Sequence, residues 1–130
     1  MMNKTNVLLA DDSEILRRAI RSLLEEQPEI ALVGEAKSFA EMIKMTNDLQ
    51  PEVIVMDLHM KDEMVFEPEV VKSQLSCSGT RIVAISMWND EESKTLAETF
   101  GAYTLLDKAN LADYLVPAIR QCAGSSKAAD

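Results

Sequence analysis

The stretch VIVMDLHM, residues 53–60, drives one acidic residue into the end of a run of apolar, partly β-branched side chains. A continuous apolar run of this length fits a central parallel strand covered on both faces. A lone carboxylate at the end of such a strand is costly to bury unless another group compensates it. Asp57 therefore needs a partner or a purpose. A second stretch, VLLADDSE at 7–14, ends in the same way with two carboxylates, Asp11 and Asp12.

Outward from these two stretches, apolar runs and helical patterns alternate five times. Val7 to Ala10 is the first strand. The helix after it repeats Ile15, Leu16, Ala19, Ile20, Leu23 and Leu24 at helical spacing, with Arg17, Arg18 and Arg21 mostly on the opposite face. Ser13 is its N-cap and Pro28 lies just past its end. Ile30 to Val33 is the second strand. SFAE at 38–41 fits a capping box opening a helix with the stripe Phe39, Met42, Ile43, Thr46 and Leu49. Val53 to Met56 is the third strand. The segment 61–67 is polar and irregular, and Pro68 opens a helix through Leu75. Arg81 to Ile85 is the fourth strand, NDEE at 89–92 caps the next helix, and Gly101 ends it. Tyr103 to Leu106 is the last strand. Asn110 to Cys122 is the last helix, where Pro117 predicts a kink or a late start. Residues 124–130 read as a disordered tail.

Strands alternating with helices make an α/β fold with a parallel sheet covered on both faces. The expected arrangement is doubly wound and flavodoxin-like, with five strands in the order 2-1-3-4-5. Ligands bind such folds at the carboxyl edge of the sheet, at the switch point between strands one and three.

The 130 residues are 47% hydrophobic, enough for one compact domain, 1–130, with its core from about 5 to 123. Net charge is −9, which argues against direct binding of nucleic acid. Cys77 and Cys122 stand far apart, without the spacing of a disulfide framework or zinc site. The first apolar run has four residues, too short for a signal peptide or a membrane span. A cytoplasmic location without membrane contact is the expectation.

The polar residues then converge. Asp11 and Asp12 end strand one, Asp57 ends strand three, Ser86 ends strand four, and Lys108 follows strand five, so one rim should gather all five. Three close carboxylates raise one another's pKa, and a divalent cation removes that conflict. Hard oxygen ligands of this kind suit Mg²⁺ together with a phosphoryl group. A carboxylate nucleophile, a metal, a hydroxyl and a lysine are the parts of a phosphoryl-transfer site.

On these residues the chain resembles a two-component response-regulator receiver domain, from about residue 5 to 123. The resemblance implies that Asp57 is the phosphoacceptor. It implies that Asp11, Asp12 and Asp57, with the backbone carbonyl of His59, hold Mg²⁺, Asp12 directly and Asp11 mainly through water. Ser86 and Lys108 would sense the phosphoryl group. His59 and Trp88, each two residues beyond a site residue, would tune the kinetics, and Trp88 should rest half-buried against the loop after Asp57. Lys108, beyond the strand end, is expected to contribute little to stability. The implied partners are a sensor histidine kinase or phosphotransfer protein, an output protein or effector domain, and a phosphorylation-dependent homodimer.

The sequence departs from the family in two places. Lys61 replaces the usual proline and Val65 stands near the usual glycine, so the loop 61–67 is atypical. Leu105 occupies the position of the switch aromatic, for which Tyr103, two residues earlier, is the expected substitute. VLLADDSEILRRAIRSLLEE and VGEA resemble receivers that precede a helix-turn-helix DNA-binding domain, which leaves open a stand-alone receiver or a piece of a longer regulator. Two other classes fit less well. A haloacid-dehalogenase-like phosphatase needs D-x-D at its first strand end, and here the acids are adjacent. A flavodoxin-like binding module should present hydroxyls and amides to a phosphate, which Asp11 and Asp12 would repel. The expectation is a signalling switch without enzymatic turnover beyond its own phosphorylation and dephosphorylation.

Overall fold

The computed structural model describes residues 4–128. Five strands, β1 (Thr5–Ala10), β2 (Ile30–Ala36), β3 (Val53–Asp57), β4 (Arg81–Ser86) and β5 (Thr104–Asp107), alternate with five helices. The helices are α1 (Glu14–Glu25), α2 (Phe39–Leu49), α3 (Pro68–Ser76), α4 (Glu91–Phe100) and α5 (Leu111–Ala128). The strands form one parallel sheet in the order β2-β1-β3-β4-β5, as expected.

The continuous apolar runs resolve into two interleaved alternations, because successive side chains of a strand leave opposite faces. Val7, Leu9, Val53, Val55, Val83 and Ile85 pack on one face with Ile20 and Leu24 of α1 and Leu115 and Ile119 of α5. Leu8, Ala10, Ile54, Met56, Ile82 and Ala84 pack on the other with α2, α3 and α4. Phe39 stacks on Phe100 there, with ring centroids 5.6 Å apart. Every residue of β3 is buried, Asp57 included.

Helix starts follow the expected chemistry. Ser13, Ser38 and Asp90 accept from the backbone N–H three residues on. Pro68 occupies the first turn of α3. The capping box at Ser38 is one-sided: the Glu41 carboxylate accepts from the N–H of Lys37 instead of Ser38. Gly101 ends α4 at φ +80, a conformation that a side chain would strain.

Several expectations need correction. Arg17 is buried, whereas Ile15 is 84% exposed and Ala19 is exposed too. The core stripe of α1 is narrower than the apolar spacing suggests because Arg17 turns inward to bonding partners. Leu49, at the end of the α2 stripe, is exposed. Strand β2 runs on to Ala36, with Val33 as an extra residue where the register with β1 shifts. Helix α5 starts at Leu111 and holds Pro117 inside it, so no late start occurs. It also continues through 124–128, where a tail was expected; Ala129 and Asp130 lie outside the described residues. Burial of Leu115, Val116, Ala118 and Ile119 around Pro117 offsets the one helical hydrogen bond the proline removes.

Candidate functional site

The carboxyl ends of β1, β3, β4 and β5 meet at one edge of the sheet. Carboxylate oxygens of Asp11, Asp12 and Asp57 lie within 4.8 Å of one another there. Asp11 and Asp57 are buried, and Asp12 is exposed. The Asp11 side chain is turned by its own loop, its Oδ1 accepting from the N–H of Ser13 at 2.8 Å. Asp57 is held in the same way, Oδ1 accepting from the N–H of His59 at 3.0 Å.

Lys108 stands between the buried acids. Its Nζ lies 2.8 Å from Asp11 Oδ2 and 3.2 Å from Asp57 Oδ2. The side chain is 16% exposed, so Lys108 is mostly buried between the two acids. Burial opposes its charge, but hydrogen bonding and attraction from Asp11 and Asp57 outweigh that and hold its pKa above the ordinary lysine value. The pKa of Asp57 is pushed up to about 6, by burial first and by Asp11 after it, against the pull of the His59 N–H and Lys108.

These residues fit a divalent cation. The donors are all oxygens, the preference of Mg²⁺. Asp11 Oδ2 is fully buried, and the partner it meets is the Lys108 ammonium at 2.8 Å. A carboxylate oxygen has lone pairs beyond one such contact, so Asp11 could share its charge with a cation held also by Asp12 and Asp57.

The remaining rim residues take defined places. Ser86 is buried, and its Oγ accepts from the N–H of Trp88 at 3.0 Å. The Trp88 ring is 55% exposed and stands edge-on to the His59 ring, centroids 5.7 Å apart, against the loop after Asp57. His59 Nδ1 in turn lies 2.7 Å from Glu63 Oε2. Tyr103 is not brought to this rim. It precedes β5, at the end of the strand remote from the carboxylates, and is 42% exposed. Leu105 lies within the strand, partly buried.

Sequence reasoning missed three residues that frame the site. Asp62 fixes the atypical loop, its two oxygens accepting from the N–H groups of Phe39 and Ala40 at 3.0 and 3.1 Å. This caps α2 from a distant segment, and no local pattern announces it. Arg17 donates to the Asp11 carbonyl, and Glu35 pairs with Arg17. Their only sequence signal is an acid at the end of one strand and a basic helix beside it.

A family described as response regulator receiver domain matches residues 7–120. The chain belongs to that family. This receiver is 34% identical to the nitrate/nitrite response regulator protein NarL of Escherichia coli over 117 residues, 90% of this chain and 54% of NarL. It is 31% identical to the transcriptional regulatory protein LiaR of Bacillus subtilis over 116 residues, 88% of this chain and 54% of LiaR. The response regulator domain of Thermotoga maritima CheB superposes with a TM-score of 0.82 at 26% identity, covering 94% of this chain and 98% of that one. The receiver thus spans about half the length of the two regulators. Its place is in two-component signalling. Among the described residues no helix is long and apolar enough to cross a membrane.

Proposed function

We propose that this receiver is a phosphorylation-dependent switch whose phosphoacceptor is Asp57. The observation that carries the reading is the buried carboxylate at the end of the central strand, 3.2 Å from Lys108 Nζ and clustered with Asp11 and Asp12. The donor is a phosphohistidine on a sensor kinase or phosphotransfer protein, or a small acyl phosphate. An ionised oxygen of Asp57 attacks phosphorus, the new O–P bond forms as the P–N or acyl P–O bond breaks, and the donor leaves with that electron pair.

Asp11, Asp12 and Asp57, with the backbone carbonyl of His59, would hold Mg²⁺. The bound ion supplies charge neutralisation for the phosphoryl oxygens. Lys108 places a second cation beside the same oxygens, freed for them as Asp57 takes up the phosphoryl group. The Ser86 hydroxyl donates to a phosphoryl oxygen once its side chain turns, and turning releases the N–H of Trp88 that it now accepts. That release passes the change into the segment leading to α4 and biases the α4, β5 and α5 surface toward its active arrangement.

The chain is read as one receiver domain, a phosphoacceptor whose own chemistry is limited to gain and loss of the phosphoryl group. It acts in the cytoplasm on an output protein or an effector domain of a longer regulator, with homodimerisation on phosphorylation as one mode of output. Incubation with a small acyl phosphate tests the reading. Intact mass should rise by a single phosphoryl group with Mg²⁺ present and stay unchanged with excess chelator. A mass that never changes under either condition contradicts it.

A further inference from the structure

Arg17 buries a guanidinium beneath the acidic cluster without touching a carboxylate of it. The residue is 7% exposed, and Nη1 donates to the backbone carbonyl of Asp11 at 2.7 Å. Its Nε lies 3.4 Å from Glu35 Oε1. Glu35 is itself gripped by Arg21, whose Nε and Nη2 donate to its two oxygens at 2.6 and 2.9 Å. The chain of contacts therefore runs from the end of β2, through α1, to the peptide that joins Asp11 to Asp12.

That peptide matters because its plane sets the directions in which both side chains leave the backbone. The N–H of Asp11 is already bonded to the Ala36 carbonyl. With Arg17 on the carbonyl of Asp11, the backbone at this residue is held on both sides. Glu35 is shared between Arg17 and Arg21, so it fixes the Arg17 guanidinium without cancelling the charge of both.

We propose that Arg17 is a positioning residue for divalent-cation binding, holding the Asp11–Asp12 peptide in its ligating geometry while Glu35 braces the guanidinium. This rests on the reading of Asp11, Asp12 and Asp57 as Mg²⁺ ligands.

The test titrates the full chain with MgCl₂ and reads Kd from backbone amide NMR shifts near Asp12 and Asp57. Arg17→Ala should raise Kd by about tenfold, the scale on which groups that orient metal ligands act. Arg17→Lys, which can donate to the carbonyl but cannot also reach Glu35, should fall between the two. Glu35→Gln should raise Kd less than Arg17→Ala. Ile20→Ala, a core truncation on the same helix, controls for lost stability and should keep the wild-type Kd. A wild-type Kd in Arg17→Ala, or an equal rise in Ile20→Ala, overturns the proposal. If Arg17→Ala does not fold, Glu35→Gln decides, and an unchanged Kd there overturns it. Wild-type protein that binds no Mg²⁺ overturns the metal reading itself, and this inference with it.

Discussion

Lys108 Nζ lies 3.2 Å from Oδ2 of Asp57, in a pocket that leaves the lysine side chain 16% exposed. Removing the cation leaves Asp11 and Asp57 buried with no compensating charge, which is far costlier than losing a surface lysine. Lys108→Ala should therefore lower the stability of the metal-free protein at pH 7 by about 2 kcal/mol. Saturating Mg²⁺ should recover part of that loss by screening the same two carboxylates. Urea unfolding with chelator and with Mg²⁺ measures both effects. A midpoint unchanged in chelator would show that the ion pair carries no stability.

Asp57 gives the metal-free protein a distinctive pH dependence. Its folded pKa of about 6 stands above the ordinary carboxyl value of 3.8. Between those values the folded state holds a proton that the unfolded chain releases, so stability falls as pH rises from about 4 to about 6. The cost is fully present above that window and absent below it. Asp57→Asn cannot ionise, so its stability advantage over wild type should grow across this range to about 1–3 kcal/mol at pH 7. Thermal or urea unfolding at a series of pH values in chelator checks the sign. An advantage that shrinks with rising pH contradicts a folded Asp57 pKa raised by burial.

Asp62 joins the loop after Asp57 to the start of α2 through Phe39 and Ala40. Asp62→Ala removes both acceptors and should cost about 1 kcal/mol, as loss of a helix cap usually does. Hydrogen exchange should quicken at Phe39 and Ala40. If those two amides exchange at the wild-type rate, the loop is not tied to α2 in this way.

The legible part of this chain is the part encoded locally. Val7–Ala10 and Val53–Met56 are continuous apolar runs closed by carboxylates, so both the buried strands and the acids at their ends can be read directly. Given the parallel fold, Ser86 and Lys108 follow from being at strand ends. Residues whose partners are distant were not legible. Arg17 looks like a solvent-facing residue because hydropathy cannot register a guanidinium whose donors are satisfied inside. The extension of β2 through Gly34 and Glu35 depends on pairing with β1, which an interrupted apolar run conceals. Tyr103 shows how one residue moves a strand boundary. Strand β5 begins at Thr104, so the tyrosine stays outside it and away from the carboxylates.

Trp88, the chain's only tryptophan, sits between Ser86 and His59 and should report on both. Mg²⁺ bound at the neighbouring carboxylates, and then beryllofluoride as a phosphoryl mimic, should each change its fluorescence. The Mg²⁺ signal should saturate in wild type and vanish in Asp12→Ala. His59→Ala should shift the emission to longer wavelength by exposing the indole edge. A flat titration, in protein shown by NMR to bind Mg²⁺, would mean that the indole does not sense the site.

The central claim is that Asp57 accepts the phosphoryl group, and intact-mass measurement on wild type and Asp57→Asn side by side tests it most directly. Both proteins are incubated with the same acyl phosphate and Mg²⁺, with folding of the variant checked beforehand by its unfolding transition. The account predicts a gain of a single phosphoryl group in wild type and none in Asp57→Asn. Equal labelling of the two proteins would contradict it, because the acceptor would then be another residue.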